Sequence, residues 1–334
     1  MTDYILGVET SCDDTSMGIV KSGFKELHTL TYSQIETHAQ YGGVFPEVAA
    51  RCHHDKLIAI YSALLEDTKI PASKLSAIAV TNKPGLVGSL LMGCTFASTL
   101  ASFLNIPLIP VNHIHAHIYS SMMTHHQSLN DISFPCLGMV VSGGHTHLFL
   151  GKAIDDWSCV AMTHDDAVGE CFDKVGKMMN MSYPAGPEIE RLAKKGHDGI
   201  YNFKTPVVKL DRMAFSYSGL KTNLLYTIKG IGGRKMATES NYPDICYAFQ
   251  RCVSRSLIKV INFAIEQHQI KDIYFGGGVC CNHYLQNELS KRVLGTCYFP
   301  TTKLSTDNAT MIAGYGFHLQ RSKGFPEIKP NIFH

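Results

Sequence analysis

The sequence lacks a strong excess of charge of either sign. Its 334 residues carry 30 Lys and Arg against 28 Asp and Glu, so the formal net charge is only +2. Nonspecific binding to nucleic acid depends on a broadly basic surface, because the contacts are made to phosphates. We therefore expect any nucleic acid to be bound through a local patch or with the help of partner proteins.

The sequence also lacks the cysteine pairs of a metal ribbon or a thioredoxin-like site. It has eleven cysteines, an odd number, and none of them forms a C-x-x-C pair. Most are expected to be small buried apolar residues. Reduced thiols favour a cytoplasmic location.

No signal peptide is expected, because residues 1–6 have neither a basic region nor a long apolar stretch. Residues 86–104 carry no charge and are long enough to cross a bilayer. This stretch is nevertheless rich in Gly, Ser and Thr. It is therefore predicted to be a helix buried against a sheet, and no membrane association is expected.

Strands and helices alternate along the whole chain, without low-complexity tracts or long linkers. Strands at 4–9, 17–21 and 26–32 predict an opening meander. The rest of the first half then alternates, with a helix at 48–67, a strand at 76–81, a helix at 86–104, a strand at 108–111 and a helix from 113 to 123. The second half repeats this rhythm, with strands at 136–142, 146–150, 159–163, 273–275 and 297–299 and helices at 169–179, 187–195, 244–268, 283–293 and 309–320. The repetition predicts a duplicated α/β domain with a central cleft.

A pair of histidines begins the helix after the strand at 108–111. His113 and His117 are four residues apart, so they share one helix face and suit a single metal ion. His115 points elsewhere. The glutamate of H-E-x-x-H is absent, which disfavours a zincin-type protease. A polar helix start without metal remains the alternative.

Acidic residues follow two other predicted elements. Glu9-Thr10-Ser11-Cys12-Asp13-Asp14-Thr15 comes directly after the first strand, and its carboxylates suit metal binding or proton transfer, or simply a polar turn. Asp307 precedes the last helix, which Ser305 or Thr306 is expected to cap. It is either a first-turn acid favoured by the helix dipole or a third metal ligand. Two histidines and one carboxylate suit Fe(II), with zinc as the other choice.

Two glycine-rich segments stand at strand ends. Val140-Val141-Ser142-Gly143-Gly144-His145-Thr146 allows a close approach of the backbone to a ligand, or forms a simple hairpin turn. Gly276-Gly277-Gly278 leads to Asn282 at a predicted helix start, where backbone N–H groups can hold a phosphate. Neither the P-loop nor the Rossmann pattern is present.

Taken together, eight segments in order resemble the TsaD family. They are GVETSCDDT (7–15), NHIHAH (112–117), VVSGGHTHL (140–148), DDAVGECFDKVGKMM (165–179), YPAGPEIE (183–190), FSYSGLKT (215–222), GGGVCCN (276–282) and STDNATMIA (305–313). The resemblance implies the fold of the actin, hexokinase and Hsp70-like ATPases. The N-terminal lobe would span 1–133, with a C-terminal helix at about 308–325 packed back on it, and the C-terminal lobe would span 134–307.

The resemblance also implies roles for individual residues. His113, His117 and Asp307 would bind one divalent metal ion. Asp13 would be an acidic residue required for activity, and it is the candidate general base. The positions expected to contact the nucleotide or the acyl-adenylate are Val140, Val141, Ser142, Gly143, Gly144, Asp173, Gly186, Glu190 and Asn282. Accessory roles are expected for Glu9, His145, Gly276, Gly277 and Gly278.

The implied reaction is acyl transfer. The threonylcarbamoyl group of threonylcarbamoyl-AMP would pass to the N6 amine of the adenosine 3′ of the anticodon in tRNAs that read ANN codons. The implied partners are tRNA, a homologous TsaB-like subunit and a TsaE-like P-loop ATPase. Lys and Arg side chains around 191–195 and 212–221 either contact tRNA or form solvated faces.

The sequence departs from the family pattern at two places. Ile114-His115-Ala116 stands where the family often has Met-Glu-Gly, and Cys280-Cys281 stands where Ser-Ala is common. Both departures leave the metal ligands in place. The rival functions are a metallopeptidase, a non-catalytic ATP-binding scaffold and a small-molecule kinase on the same fold.

Overall fold

The computed structural model describes residues 3–41, 43–205, 208–209, 213–233 and 235–323. The chain divides into two compact units. Unit 1 comprises 1–133, 153–156 and 306–334, and unit 2 comprises 134–152 and 157–305.

Unit 1 is built on a five-stranded sheet. Its strands are β1 (Tyr4–Glu9), β2 (Asp14–Lys21), β3 (Lys25–Ser33), β4 (Leu75–Lys83) and β5 (Leu108–Asn112), in the order β3-β2-β1-β4-β5. The first three strands are antiparallel, and β4 and β5 run parallel to β1. The predicted opening meander is therefore confirmed. Its helices are α1 (Ile35–Ala39), α2 (Pro46–Thr68), α3 (Val87–Leu104), α4 (His113–His125) and α11 (Ala309–Lys323).

Strand β1 is buried on both sides because helices cover both faces of this sheet. Leu6 and Val8 face a core shared with α2 and α3. Gly7 faces α11, where a Cβ atom would lie 2.1 Å from the carbonyl oxygen of Ala309. The missing side chain lets the last helix of unit 1 lie directly on its first strand.

The helix expected at residues 86–104 packs against the unit 1 sheet, and the structure shows that only one of its faces is buried. α3 buries one face, which is lined by Ser89, Gly93 and Ala97, while Val87 and Phe103 are exposed. Only 28% of the residues of this helix are buried. Among the described residues, α3 is the one helix that is long and apolar enough to span a membrane.

Unit 2 repeats the strand order of unit 1. Its sheet has the order β12-β11-β6-β7-β8, with strands β6 (Cys136–Val141), β7 (Thr146–Ala153), β8 (Asp156–Met162), β11 (Asp272–Gly276) and β12 (Thr296–Tyr298). Strands β6 and β7 are antiparallel, and β11 and β12 run parallel to β6. A two-stranded sheet of β9 (Val208–Lys209) and β10 (Met213–Ala214) lies outside it.

The helices of unit 2 pack around a large apolar core against this sheet. They are α5 (Val168–Met178), α6 (Gly186–Ala193), α7 (Ser218–Lys229), α8 (Tyr242–His268), α9 (His283–Arg292) and α10 (Thr302–Ser305). The sequence patterns predicted α5, α6, α8 and α9 and missed α7. All eleven cysteines of the chain are free thiols.

Candidate metal centre and adenylate-binding residues

The histidine pair lies at the start of α4, where Asn112 caps the helix. The Asn112 side chain accepts hydrogen bonds from the backbone N–H groups of Ile114 and His115. Because the helix is regular from His113 onward, His113 and His117 lie on one face, with ring centroids 4.6 Å apart. The His115 ring lies elsewhere, edge-on to Tyr315 at 6.4 Å.

Asp307 completes the cluster from the segment before α11. Its Oδ1 atom is 3.1 Å from His117 Nε2 and 3.6 Å from His113 Nε2. One candidate ligand atom from each residue lies within 4.8 Å of the other two. The helix cap here is Asn308, whose Oδ1 accepts from Met311 N, and not Ser305 or Thr306 as expected. The Asp307 carboxylate points to the two histidines.

Glu9 fixes the orientation of His113 from the end of β1. Its carboxylate accepts a hydrogen bond from His113 Nδ1 at 2.9 Å, and further bonds from Ser11 N and Thr81 Oγ1. A carboxylate only accepts, so Nδ1 carries the proton and Nε2 faces Asp307. This carboxylate–histidine arrangement is typical of metal sites, where the outer carboxylate holds the imidazole in one tautomer.

The electrostatics of this cluster favour a cation. Burial alone would lower the pKa of His113, but the charges of Glu9 and Asp307 outweigh it and raise this pKa to about 9. Burial alone would raise the pKa of Glu9, but the charge and hydrogen bond of His113 outweigh this effect, so the net shift of this pKa is downward. Glu9 therefore stays ionised beside the two imidazoles, and the carboxylate of Asp307 lies within 3.6 Å of both. The residues present fit a divalent metal ion, and the three side chains form a site for one.

Asp13 lies in the segment between β1 and β2, which approaches His113 of the candidate metal centre. Ser11 Oγ is 3.3 Å from His113 Nδ1, so this segment contacts a candidate metal ligand. Asp13 is half-buried, and its carbonyl oxygen accepts from Gln34 N at 3.1 Å. Ser11 lies in the 9–15 motif but had no predicted role of its own, and Thr81 was not indicated by any sequence pattern. Thr81 lies two residues before the end of β4, and the pairing of β4 with β1 brings it to Glu9.

The candidate adenylate-binding residues all belong to unit 2. Val140 and Val141 are buried in β6, and Ser142 to Gly144 form the tight turn to β7. Ser142 Oγ accepts from His145 N at 3.1 Å, which closes this turn. A Cβ atom on Gly143 or Gly144 would meet nothing within 4 Å, so open space lies beside the turn.

The second glycine segment lies beside the first. Gly276 pairs with Val140 across β11 and β6, so the ends of two adjacent parallel strands meet. Gly277 has a φ of +96°, and a Cβ atom there would lie 2.4 Å from the carbonyl oxygen of Val141. Gly278 begins a single turn of 3-10 helix that leads to Asn282. The structure therefore brings both glycine segments to one edge of the unit 2 sheet.

The remaining predicted residues are connected by hydrogen bonds to backbone groups. Asp173 on α5 accepts from Ala185 N at 2.8 Å, directly before Gly186, and Glu190 on α6 accepts from His283 N at 3.0 Å. Asn282 caps α9 through Leu285 N, and its Nδ2 donates to Gln250 at 2.6 Å. Gln250, which is buried in α8, is a further residue that the sequence patterns did not indicate.

His145 directly follows the turn formed by Ser142 to Gly144, and its ring lies 5.5 Å from that of His147.

Of the basic residues considered for RNA contact, Arg191 pairs with Glu188 and Lys221 pairs with Asp166. RNA contact by Lys194 and Lys195 stays a prediction, and Arg212 lies outside the described residues.

Comparison with known proteins decides the family. The profile of the TsaD family, described as tRNA N6-adenosine threonylcarbamoyltransferase, matches residues 25–314. The chain belongs to this family. A tRNA N6-adenosine threonylcarbamoyltransferase of Protochlamydia amoebophila is 42% identical over 333 residues, covering 98% of this chain and 96% of the relative. One of Carboxydothermus hydrogenoformans is 40% identical, covering 100% of this chain and 97% of the relative.

Solved structures show the same fold at low sequence identity. Component A of the (R)-2-hydroxyglutaryl-CoA dehydratase of Acidaminococcus fermentans has a TM-score of 0.58 at 12% identity, covering 96% of this chain and 100% of that chain. HypF of T. kodakarensis has a TM-score of 0.64 at 15% identity, covering 96% of this chain and 48% of that chain. The expected TsaD membership, the acyltransferase class and the actin, hexokinase and Hsp70-like fold class are confirmed.

Proposed function

We propose that the chain transfers the threonylcarbamoyl group of threonylcarbamoyl-AMP to the N6 amine of the adenosine 3′ of the anticodon, in tRNAs that read ANN codons. The observation that carries this proposal is the family match over residues 25–314, together with a carboxylate-supported cluster of His113, His117 and Asp307. In the reaction, the N6 nitrogen attacks the carbamoyl carbon, the bond to the AMP phosphate oxygen breaks, and AMP leaves.

The metal is proposed to be Fe(II), with zinc as the other choice. Two imidazole nitrogens and one carboxylate form the ligand set that non-haem Fe(II) sites use, and they leave coordination positions open. A metal ion bound there would act as a Lewis acid that polarises the acyl group. Glu9 would keep the imidazole of His113 oriented toward the ion.

The adenylate is proposed to bind at the glycine-lined edge of unit 2. Val140, Val141, Ser142, Gly143 and Gly144 would contact it through their backbone or hydroxyl groups, because the two valine side chains are buried. The other proposed contacts are Asp173, Gly186, Glu190 and Asn282, with accessory contributions from His145, Gly276, Gly277 and Gly278. The open space at Gly143 and Gly144 supports this assignment.

Asp13 is proposed as the general base that takes the proton of the attacking N6 amine. A carboxylate in this role contributes typically 10²–10⁴-fold to a rate. The half-buried position of Asp13, on a segment that contacts His113 through Ser11, supports the role.

The proposed partners are tRNA, a TsaB-like homologous subunit and a TsaE-like P-loop ATPase, and the proposed location is the cytoplasm. The net charge of +2 supports a composite RNA-binding surface, because the chain carries little excess of positive charge for phosphate contacts. Eleven free thiols support a reducing compartment. The lobe assignment of 1–133 with the helix at about 308–325, and of 134–307, remains a proposal.

The test is a transfer assay with metal-reconstituted protein. The chain is incubated with threonylcarbamoyl-AMP, the two partner proteins and unmodified tRNA, and digested tRNA is analysed for modified adenosine by mass spectrometry. We expect product with the wild type, none above background with His113→Ala and a kcat at least 10²-fold lower with Asp13→Ala. Absence of product with metal and partners present would refute transfer and favour the scaffold function. Cleavage of an unfolded protein substrate would favour the metallopeptidase.

A further inference from the structure

A buried histidine on α2 holds the segment that carries Asp13. His53 is fully buried and lies 3.0 Å, through Nε2, from the carbonyl oxygen of Cys12. Its Nδ1 is 2.7 Å from Thr15 Oγ1. Because a carbonyl only accepts, Nε2 carries the proton, and Nδ1 accepts from the Thr15 hydroxyl. The imidazole thereby connects the turn between β1 and β2 to the start of β2.

His53 is itself oriented by a second buried histidine. His38 Nδ1 accepts from Phe45 N at 3.3 Å, so its Nε2 carries the proton and donates to Gln34 Oε1 at 3.1 Å. The Gln34 amide nitrogen lies 3.5 Å from both His53 Nδ1 and the carbonyl oxygen of Ala49. Burial lowers the pKa of His53, so it is neutral in this arrangement. The network therefore holds one tautomer of His53.

The other carbonyls of the same segment are also fixed, each by a different element. Ser11 O accepts from Leu86 N at 2.8 Å, at the start of α3. Asp13 O accepts from Gln34 N at 3.1 Å, before α1. Cys12 O, between them, accepts from His53 and from Ser89 Oγ at 3.2 Å. The contact from His53 is the only one of these that comes from α2.

We propose that His53 is a positioning residue that holds the Ser11–Asp13 segment against the metal centre through the carbonyl of Cys12. The proposal rests on the proposed transfer function, in which Asp13 removes a proton. His53 does not contact the metal ligands in the structure, and it acts by fixing the backbone from which Ser11 and Asp13 extend. Misplacement of a catalytic group by about 1 Å costs on the order of 10²-fold in rate.

Two amide substitutions separate this role from general packing. His53→Gln places an amide nitrogen near the position of Nε2, so it still reaches the carbonyl of Cys12. The amide of His53→Asn reaches only as far as the position of Nδ1, so this variant keeps the hydrogen bond with Thr15 and loses the one with the carbonyl of Cys12. Leu64→Ala serves as the stability control, because Leu64 is fully buried on the same helix but belongs to the apolar core.

Steady-state transfer is measured for these variants in the complete reaction with tRNA and partners, after metal content is confirmed. We expect His53→Asn to lower kcat by about 10²-fold with KM for the adenylate unchanged, and His53→Gln to retain a kcat close to the wild type. Leu64→Ala should lower the melting temperature and leave kcat unchanged. Equal kcat values for His53→Asn and His53→Gln would overturn the proposal.

Hydrogen exchange supplies a readout that does not require activity. In His53→Asn, the amides of Leu86 and Gln34, which donate to this segment, should exchange at least about tenfold faster relative to the Ile19 amide in the core, which corresponds to about 1.4 kcal/mol of local stability. In Leu64→Ala this ratio should stay unchanged. Unchanged exchange in His53→Asn would refute the positioning contact, whereas an inactive wild type with the expected exchange pattern would refute only the transfer function.

Discussion

At the scale of single residues, the candidate metal centre depends on one carboxylate that binds no metal itself. Glu9 is fully buried and accepts three hydrogen bonds, of which one comes from His113. A buried carboxylate with this many donors is held in one position. The orientation of His113 therefore depends on Glu9, and through it on Thr81 and Ser11.

Replacement of Glu9 by glutamine tests this dependence. Glu9→Gln keeps the size of the side chain but removes the charge that orients His113, so we expect metal affinity to fall by about 10–100-fold. Affinity is measured by competition with a chromophoric chelator. Glu47→Gln, which changes an exposed acid at the start of α2, is the control and should bind metal like the wild type. Equal affinity of Glu9→Gln and the control would contradict the role of Glu9.

The sequence was informative about these residues only where chemistry and spacing coincide. The separation of His113 and His117 predicted a shared helix face, and the structure confirms it. Asp307 is 190 residues from His117, so no local spacing connects them. Residue chemistry offered Asp307 as a third ligand only beside the alternative of a first-turn acid, and the family resemblance implied the ligand set. Thr81 and His53 were not predicted, because their contacts follow from the pairing of β1 with β4 and from the packing of α2.

At the scale of elements, unit 2 contains a helix that is held by a residue far away in sequence. α7 has no cap from its own N-cap residue Tyr217. Instead, Asp165, between β8 and α5, accepts bonds from the hydroxyl groups of Ser216 and Ser218 and from Tyr217 N. The missed prediction of α7 has the same cause, since its cap is not encoded next to it.

Loss of Asp165 should destabilise the protein in a pH-dependent way. Burial alone would raise the pKa of Asp165, but the bonds from Ser216, Tyr217 and Ser218 outweigh it and lower this pKa. Its stabilisation is therefore complete above the unfolded pKa of about 3.9 and is lost as the pH falls through the lower folded value. Asp165→Ala should cost roughly 1–2 kcal/mol at pH 7.

Urea unfolding at a series of pH values between 7 and about 3 measures this difference. The difference in the free energy of unfolding between wild type and Asp165→Ala should become smaller as the pH falls. The exposed control Asp156→Ala should have the same free energy of unfolding as the wild type at every pH. A gap that stays constant over the range would show that the carboxylate charge contributes nothing.

The two glycine segments of unit 2 should respond differently to an added methyl group. Gly277→Ala forces a Cβ atom onto the carbonyl of Val141 at a φ of +96°, so we expect a loss of at least about 1–3 kcal/mol in stability. Gly144→Ala adds a methyl group to open space, so stability should change by less than about 0.5 kcal/mol. Its effect should appear as weaker adenylate binding. Thermal unfolding and calorimetric titration with a stable adenylate analogue test both, and a Gly144→Ala protein with normal binding would exclude this turn from the ligand site.

At the scale of the whole molecule, the duplication of the α/β domain was predictable from the sequence because the alternation of strands and helices repeats. The structure confirms the duplication, since the strand order is β3-β2-β1-β4-β5 in unit 1 and β8-β7-β6-β11-β12 in unit 2. Exposure of α3 was not predicted, since its composition of small and apolar residues fits a buried helix equally well. The candidate metal centre draws its residues from β1, α4 and the segment before α11.

Metal binding should therefore stabilise the protein against heat. An ion that binds only the folded state contributes about 2.7 kcal/mol at a free concentration of 100 times its Kd. Differential scanning calorimetry with and without Fe(II), under anaerobic conditions, should show a transition that moves to higher temperature. The same addition should leave His113→Ala unchanged, and a shift of equal size in that variant would place the binding elsewhere.

The position of α11 has a consequence for biosynthesis. Every residue of unit 2 has been synthesised once Ser305 has been added, whereas unit 1 still lacks Asp307 and the helix that covers Gly7. The part of the protein that is translated first is thus the part that is finished last. Nascent chains cannot assemble His113, His117 and Asp307 before translation passes residue 307, so a chain that terminates earlier lacks the third ligand of the candidate metal centre.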